Sequence, residues 1–269
     1  MAMPTDGTAG GGGERALTAR SVVASVLLGT EPPELPARLL VRSGELFGIA
    51  EGTTRVALSR MVTAGEVEAA GDGRYRLSGH LMARRARQDQ ARRPQLRGWD
   101  GSWRTAIVTA ESRPAAERAA WRATMRGRRM AELREGVWLR PDNLAPPPAD
   151  PLDEQCTWFT AVPAGGGGAD LAGALWDLES WRHETSALLA RMDSTVGSLR
   201  SGDLDSLAPC FVLAAAALRH LTADPLLPAE LLPRGWNGEE LRTAYDAYES
   251  ALQGLLRNWF RDQRADRPE

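Results

Sequence analysis

Residues 53–77 read TTRVALSRMVTAGEVEAAGDGRYRL, and no other stretch of the 269-residue chain limits its fold as tightly. At helical spacing Ala57, Leu58, Met61, Val62 and Ala64 fall on one side. Arg55, Ser59 and Thr63 lie four apart on the other, with Val56 and Arg60 beside them. Gly65 is predicted to cap the helix. Glu66 to Ala70 and Arg74 to Ser78 then read as two short strands around Gly71-Asp72-Gly73, a turn signal because glycine and aspartate accept positive φ. Arg74 and Arg76, two apart on a strand, share one face, while Tyr75 and Leu77 turn toward the body.

Such a helix alone also fits an ordinary amphipathic surface helix. A helix followed at once by an arginine-bearing hairpin is instead the outline of a winged helix-turn-helix. Upstream residues extend it. Thr18 can cap a helix carrying Val22, Val23, Val26 and Leu27, closed by Gly29. Pro36 suits the first turn of a second helix with Leu39, Leu40, Leu46 and Phe47, ending at Gly48. Residues 48–51 then form the turn before the third helix. The third helix would lie in a DNA major groove. The candidate DNA-binding residues are Thr53, Thr54, Arg55, Val56, Ser59, Arg60 and Thr63 on that helix. Arg74 and Arg76 on the wing would reach phosphates or a minor groove.

Charge supports a nucleic-acid-facing front. Residues 1–98 hold fourteen arginines and ten acids, residues 99–149 nine and six, and residues 150–269 ten and nineteen, giving about +4, +3 and −9 within a net charge of −2. Cys156 and Cys210 lack metal-ligand spacing and read as free buried thiols of a cytoplasmic protein. His80, His183 and His220 are too scattered for a metal site, and no phosphate-cradling motif or cofactor signature is visible. The first residues lack the regions of a signal peptide, and the sequence predicts no apolar run that approaches membrane-span length.

The expected organisation is α+β. A disordered tail (1–14) precedes the winged-helix domain (15–80) and a basic connector (81–98), whose Arg84, Arg85, Arg87, Arg92 and Arg93 suit either phosphate contact or a solvated linker helix. A ferredoxin-like middle domain (99–178) follows, with strands at 104–109, 137–139 and 156–162 and helices at 114–126 and 169–178. A helical C-terminal domain (179–269) ends the chain. Its 224–236 segment reads as a rigid buried corner of prolines and leucines, and Asn237 with Glu240 as a capping box for the last helix. The tryptophans read as core residues rather than a base-stacking platform. An enzymatic alternative, a metal-dependent nuclease on the middle domain, would need clustered carboxylates, and only Asp100 and Glu111 flank the first strand.

Three stretches carry a family resemblance. They are Arg55-Val56-Ala57-Leu58-Ser59-Arg60-Met61, then Trp99-Asp100-Gly101-Ser102-Trp103 with Gly136-Val137-Trp138-Leu139, and then Asp224-Pro225-Leu226-Leu227-Pro228 with Leu231-Leu232-Pro233 and Trp236. In this order they resemble the PaaX-type transcriptional regulators, over nearly the whole chain beyond the N-terminal tail. The resemblance implies a homodimeric, ligand-responsive repressor of double-stranded operator DNA, rather than an enzyme. Its effector would be an aryl-CoA or related acyl-CoA thioester. For such an anionic aryl ligand, Trp103, Trp138 and Arg182 are candidate lining residues between the middle and C-terminal domains. The Gly- and Pro-rich loops and the short wing ribbon depart from the family pattern. A transcriptional activator or an architectural DNA binder is the alternative reading of the same DNA-binding residues.

Overall fold

The computed structural model describes residues 17–109, 114–146 and 151–265. They form two compact units. The first comprises residues 1–83, 198–212 and 252–269, and the second residues 84–197 and 213–251.

In the first unit, helix α1 (Ala19–Leu28) begins at Thr18, whose hydroxyl accepts the Ser21 amide while the Ser21 hydroxyl accepts the Thr18 amide. This reciprocal cap satisfies two amides that a helix start leaves unpaired. Strand β1 (Glu34–Pro36) and helix α2 (Ala37–Ser43) follow. The helical spacing of Leu39, Leu40, Leu46 and Phe47 suggested one longer helix. Instead α2 stops at Gly44, and Glu45–Phe47 form a separate 3₁₀ turn closed by Gly48 at φ 68°. Helix α3 (Glu51–Thr63) and strands β2 (Val67–Ala69) and β3 (Arg74–Leu77) complete the sheet, with order β1-β3-β2 and both pairs antiparallel. Strand β1 was not expected, because three residues ending in proline carry no alternation to read.

The core of this unit comes from Val22, Val23, Val26 and Leu27 of α1, Leu39 and Leu40 of α2, Leu58 and Met61 of α3, and Val67 and Leu77 of the sheet, all buried. Buried residues Leu252, Leu255, Leu256 and Trp259 from the end of the chain belong to the same unit, and Phe47 packs edge-on against Phe211 with ring centroids 4.9 Å apart. A Cβ at Gly29 would come within 2.0 Å of the Gln253 amide nitrogen, so a larger residue there would push that side chain aside.

The second unit is built on an antiparallel sheet of β4 (Trp103–Val108), β5 (Ala131–Arg134), β6 (Val137–Pro141) and β7 (Cys156–Ala161), in the order β5-β6-β4-β7. Numbered within the unit this is 2-3-1-4, the ferredoxin-like strand order. Helix α5 (Ala115–Gly127) makes the first crossover. The second crossover has no α-helix among its described residues and ends in a 3₁₀ turn at Pro151–Gln155. Helix α6 (Gly168–Leu175) comes only after the fourth strand.

Residues on opposite faces of this sheet enter different cores. Ala106 and Trp138 pack with Trp121, Met125 and Met130 beneath α5. Trp103 and Leu139 pack with Ala172, Leu178, Leu227 and Leu231, bringing in the proline–leucine corner. Residues 224–228 and Leu231 of that corner are buried, whereas Ala229, Glu230, Arg234 and Gly235 are exposed. The Arg129 guanidinium donates to the Thr222 and Asp224 carbonyls, and the Asn143 amide donates to the Leu226 carbonyl at 2.9 Å. The Asp224 carboxylate accepts the Leu226 amide at 2.8 Å and pairs with Arg242.

Helices α7 (Leu178–Ser201), α8 (Leu207–Ala223) and α9 (Gly238–Ala265) complete the chain. Two expectations fail here. Asn237 does not form a capping box: its amide nitrogen donates to the Ser186 hydroxyl at 3.0 Å, and its amide oxygen has no partner. In addition, Leu204–Ala223 is long and apolar enough by composition to cross a membrane, with mean hydropathy 1.4. Small alanines dispersed among larger residues hid this run. It bears the buried core residues Leu207, Cys210, Phe211, Leu213, Ala214, Ala217 and Leu221.

Candidate nucleic-acid interface

Helix α3 buries a narrow stripe and leaves the rest in solvent. Thr54, Leu58 and Met61 are buried at the i, i+4, i+7 spacing of one helix face. Thr54 was a candidate DNA contact, and the structure removes it. It is fully buried, with its hydroxyl against the position a Cβ on Gly44 would occupy, 2.2 Å away. Its hydroxyl group made it resemble Thr53, but its spacing from Leu58 and Met61 assigns it to the core. Val62 and Ala64, placed on the apolar side by the sequence, are exposed.

The exposed face contains Thr53, Arg55, Val56, Ser59, Arg60 and Thr63. They differ in availability. Arg55 pairs with Glu51 one turn back. The Thr63 hydroxyl donates to the Ser59 carbonyl at 3.2 Å and keeps only acceptor capacity outward. Arg60 has no carboxylate partner among the described residues, so its guanidinium is the least committed donor on the helix. Val56 is 51% exposed and stands among the polar side chains of this face. A methyl-bearing side chain between guanidinium donors matches the edges that base pairs offer in the major groove, including the thymine methyl.

A Schellman motif ends α3. Ala64 is the last residue in line and Gly65 adopts φ 66°. The Gly65 amide donates to Val62 and the Glu66 amide to Met61. The chain then enters β2 with Glu66 buried against Arg20 of α1, a bidentate pair whose second contact is 2.8 Å. The Arg20 hydrogen bond holds the Glu66 carboxyl below the usual glutamate range. This pair ties the start of the wing to the first helix.

The hairpin forms at the expected place. Gly71, Asp72 and Gly73 all have positive φ, and Val67 pairs with Leu77 and Ala69 with Tyr75. Both wing arginines have carboxylate partners on neighbouring strands. Arg74 pairs with Glu34 of β1, and Arg76 with Glu68 of β2 at 2.6 Å. The Arg76 hydrogen bond also lowers the Glu68 carboxyl. The glutamates that pair with these arginines lie on other strands, outside the arginine spacing that the sequence exposed, and both Glu34 and Glu68 stand in register with Arg76. After the wing, helix α4 (Gly79–Arg92) covers most of the expected connector. Its last arginine is not available for phosphate: Arg92 binds Asp246 at 2.6 Å and lies over the Tyr245 ring.

The candidate effector residues do not converge. Trp103 and Trp138 are each 1% exposed and lie on opposite sheet faces in separate cores. Arg182 pairs with Glu179 at 2.8 Å on helix α7. A tryptophan in a strand is legible as apolar, but the face it serves depends on register, which the sequence leaves open. For the nuclease alternative, the Asp100 carboxylate accepts the Ser102 amide at 2.9 Å in a local turn, and Glu111 lies outside the described residues.

No curated protein matches the chain. Among solved structures it is similar to the "Uncharacterized protein Rv0674 from Mycobacterium tuberculosis", at 45% sequence identity and a TM-score of 0.73, over 90% of this chain and 98% of that one. The family model described as PaaX-like protein matches residues 18–81, and the model described as PaaX-like protein C-terminal domain matches residues 176–262. Together the two models cover more than half of the chain, which belongs to the PaaX-like family of DNA-binding transcriptional regulators.

Proposed function

We propose that the protein is a cytoplasmic, homodimeric repressor that reads its operator with α3 and is released by a small-molecule effector. The observation that carries the DNA-reading role is the exposed face of α3, where Arg55, Val56, Ser59 and Arg60 stand outward beside an arginine-bearing wing. In a dimer, two such helices would enter successive major grooves about 10 base pairs apart, on a roughly palindromic site. Arg60 and Arg55 would contact base edges or phosphates, Val56 a thymine methyl, and Arg74 and Arg76 the backbone. An effector shifts the operator equilibrium only by its differential affinity, so DNA and effector must weaken each other equally. An acyl-CoA thioester is the effector class that family membership suggests.

Selection of bound duplexes from a random library tests the reading. Enrichment of an inverted repeat with half-sites about one helical turn apart is expected, together with loss of binding by Arg60→Ala at unchanged folding. Recovery of unrelated sequences with equal affinity would leave only salt-dependent, non-specific binding.

A further inference from the structure

The second unit contains a cavity of about 210 Å³ lined by four arginines, Arg104, Arg128, Arg129 and Arg140. Trp158, Met130, Leu144 and Pro146 supply an apolar wall, and Asp142 is the one carboxylate in the lining. The arginines are brought together by β4, by the end of α5 and by β6. Arg104 on β4 and Arg140 on β6 are directly paired in register and therefore project from the same sheet face.

These guanidiniums are poorly neutralised. Arg128 pairs with Asp153. Among the described residues, no carboxylate forms an ion pair with Arg104, Arg129 or Arg140. Arg104 lies over the Trp158 ring, 4.7 Å from its centroid. Arg129 spends one amino group on the Thr222 and Asp224 carbonyls and holds a left-handed backbone at φ 63°. A non-glycine residue in that region is strained.

Arg140 is the most informative. It is 5% exposed, and its hydrogen bonds go to neutral oxygens only: the Pro141 carbonyl at 2.9 Å, the Asn143 amide oxygen at 2.7 Å and the Arg128 carbonyl at 3.4 Å. Burial, reinforced by repulsion from Arg129 and only partly offset by the Asp142 carboxylate, lowers its guanidinium to about 10. A buried cation that makes no ion pair is destabilising, and proteins ordinarily pair such groups. Arg140 sits where an anion would supply the missing charge.

From this geometry we infer that the cavity binds a small phosphorylated molecule, with its phosphate between Arg104, Arg129 and Arg140 and its organic part on Trp158, Met130 and Pro146. Charge selects the class. Among the described residues, four guanidiniums against the carboxylates of Asp142 and Asp153 leave two positive charges, Asp224 near Arg129 being matched by Arg242. A phosphate monoester carries roughly −1.5 to −2 at neutral pH, and planar guanidinium forks suit its oxygens. The volume exceeds what a lone phosphate fills, which is why an organic portion is included. A duplex backbone is disfavoured because it cannot deliver a phosphate to a side chain as buried as Arg140.

The inference rests on the reading of the chain as ligand-responsive, and calorimetry separates the two. The full-length protein is titrated with phenyl phosphate, and separately with a short duplex DNA, at fixed ionic strength. One-to-one binding of phenyl phosphate is expected. Arg104→Gln and Arg140→Gln should each weaken it by about tenfold, the scale of a charge-assisted hydrogen bond, with Arg234→Gln as the unaffected exposed control. Should Arg140→Gln fail to fold, the less buried Arg104→Gln decides. No phenyl phosphate binding by folded protein overturns the site, as does equal weakening in all three variants. Arginine-dependent binding of duplex in place of phenyl phosphate also overturns it. If phenyl phosphate binds through these arginines and leaves operator affinity unchanged, the site stands and the effector-release reading fails.

Discussion

The arginines of the wing and those of the cavity are the same residue type under opposite rules. Arg76 is solvent-exposed and Arg74 half-buried, and each has a glutamate beside it; Arg140 is buried and makes no ion pair. An exposed ion pair contributes roughly 0–1 kcal/mol and exchanges readily for a phosphate. A buried lone cation costs stability until something supplies its charge. The wing therefore presents charge that is partly cancelled and easily traded. The cavity holds charge in reserve, and its occupancy should register as stability.

The sharpest break in this comparison lies at Arg242. It is as buried as Arg140 but is paired with the buried Asp224. Arg242→Ala should lower unfolding stability by about 3–5 kcal/mol, because it strands a buried carboxylate. Arg140→Met should cost far less in the absence of ligand, and denaturant titration of the two variants side by side checks the difference.

The next effect belongs to α3. Arg60→Ala is expected to reduce operator affinity by about 1–3 kcal/mol, the scale of one bidentate arginine–guanine pair. Anisotropy titration at fixed salt measures it, and Arg55→Ala should cost less because Glu51 already engages that side chain.

A pH effect follows from His220, half-buried with its ring stacked on Trp181. Burial lowers its pKa below 6.5, and the unfolded chain keeps the ordinary value. The native state thus resists a proton that the unfolded state accepts. The stability contribution is complete above pH 6.5 and declines below it, by at most about 1.4 kcal/mol per pH unit. His220→Phe should flatten that slope in thermal melts recorded from pH 7 downward.

The smallest effect tests the wing itself. Glu68→Gln frees Arg76 and is expected to raise DNA affinity by less than about 1 kcal/mol, with a steeper salt dependence. An unchanged salt slope would mean that Arg76 does not meet the backbone.

Much of this was legible in the sequence because it depends on local rules. The Thr18 cap, the Gly65 termination, the Gly71-Asp72-Gly73 turn and the alternation of Arg74 and Arg76 are decided by neighbours within a few residues. What escaped depends on pairing across the fold. Strand β1 is three residues long and is defined by β3 alone. Strand β5, reading AELR, has no alternation strong enough to announce it. Trp103 and Trp138 looked equivalent until register put them on opposite faces. The cavity arginines are scattered over 37 positions from Arg104 to Arg140 and carry no motif; only the direct pairing of β4 with β6 brings Arg104 beside Arg140. Thr54 is the instructive miss, a polar residue whose helical position outweighed its chemistry.

The narrow buried stripe of α3 has a consequence for how such a protein can change over generations. Thr54, Leu58 and Met61 hold the helix in place, and Gly44 leaves room for Thr54. Residues 55, 56, 59, 60 and 63 are almost uninvolved in that attachment. Substitutions there can redirect the helix to a new operator at little cost to folding, since exposed positions usually shift stability by no more than about 0.5 kcal/mol. Target choice and structural integrity are thus inherited on separate sets of residues of one short helix, so related copies can diverge in what they read while preserving how they stand.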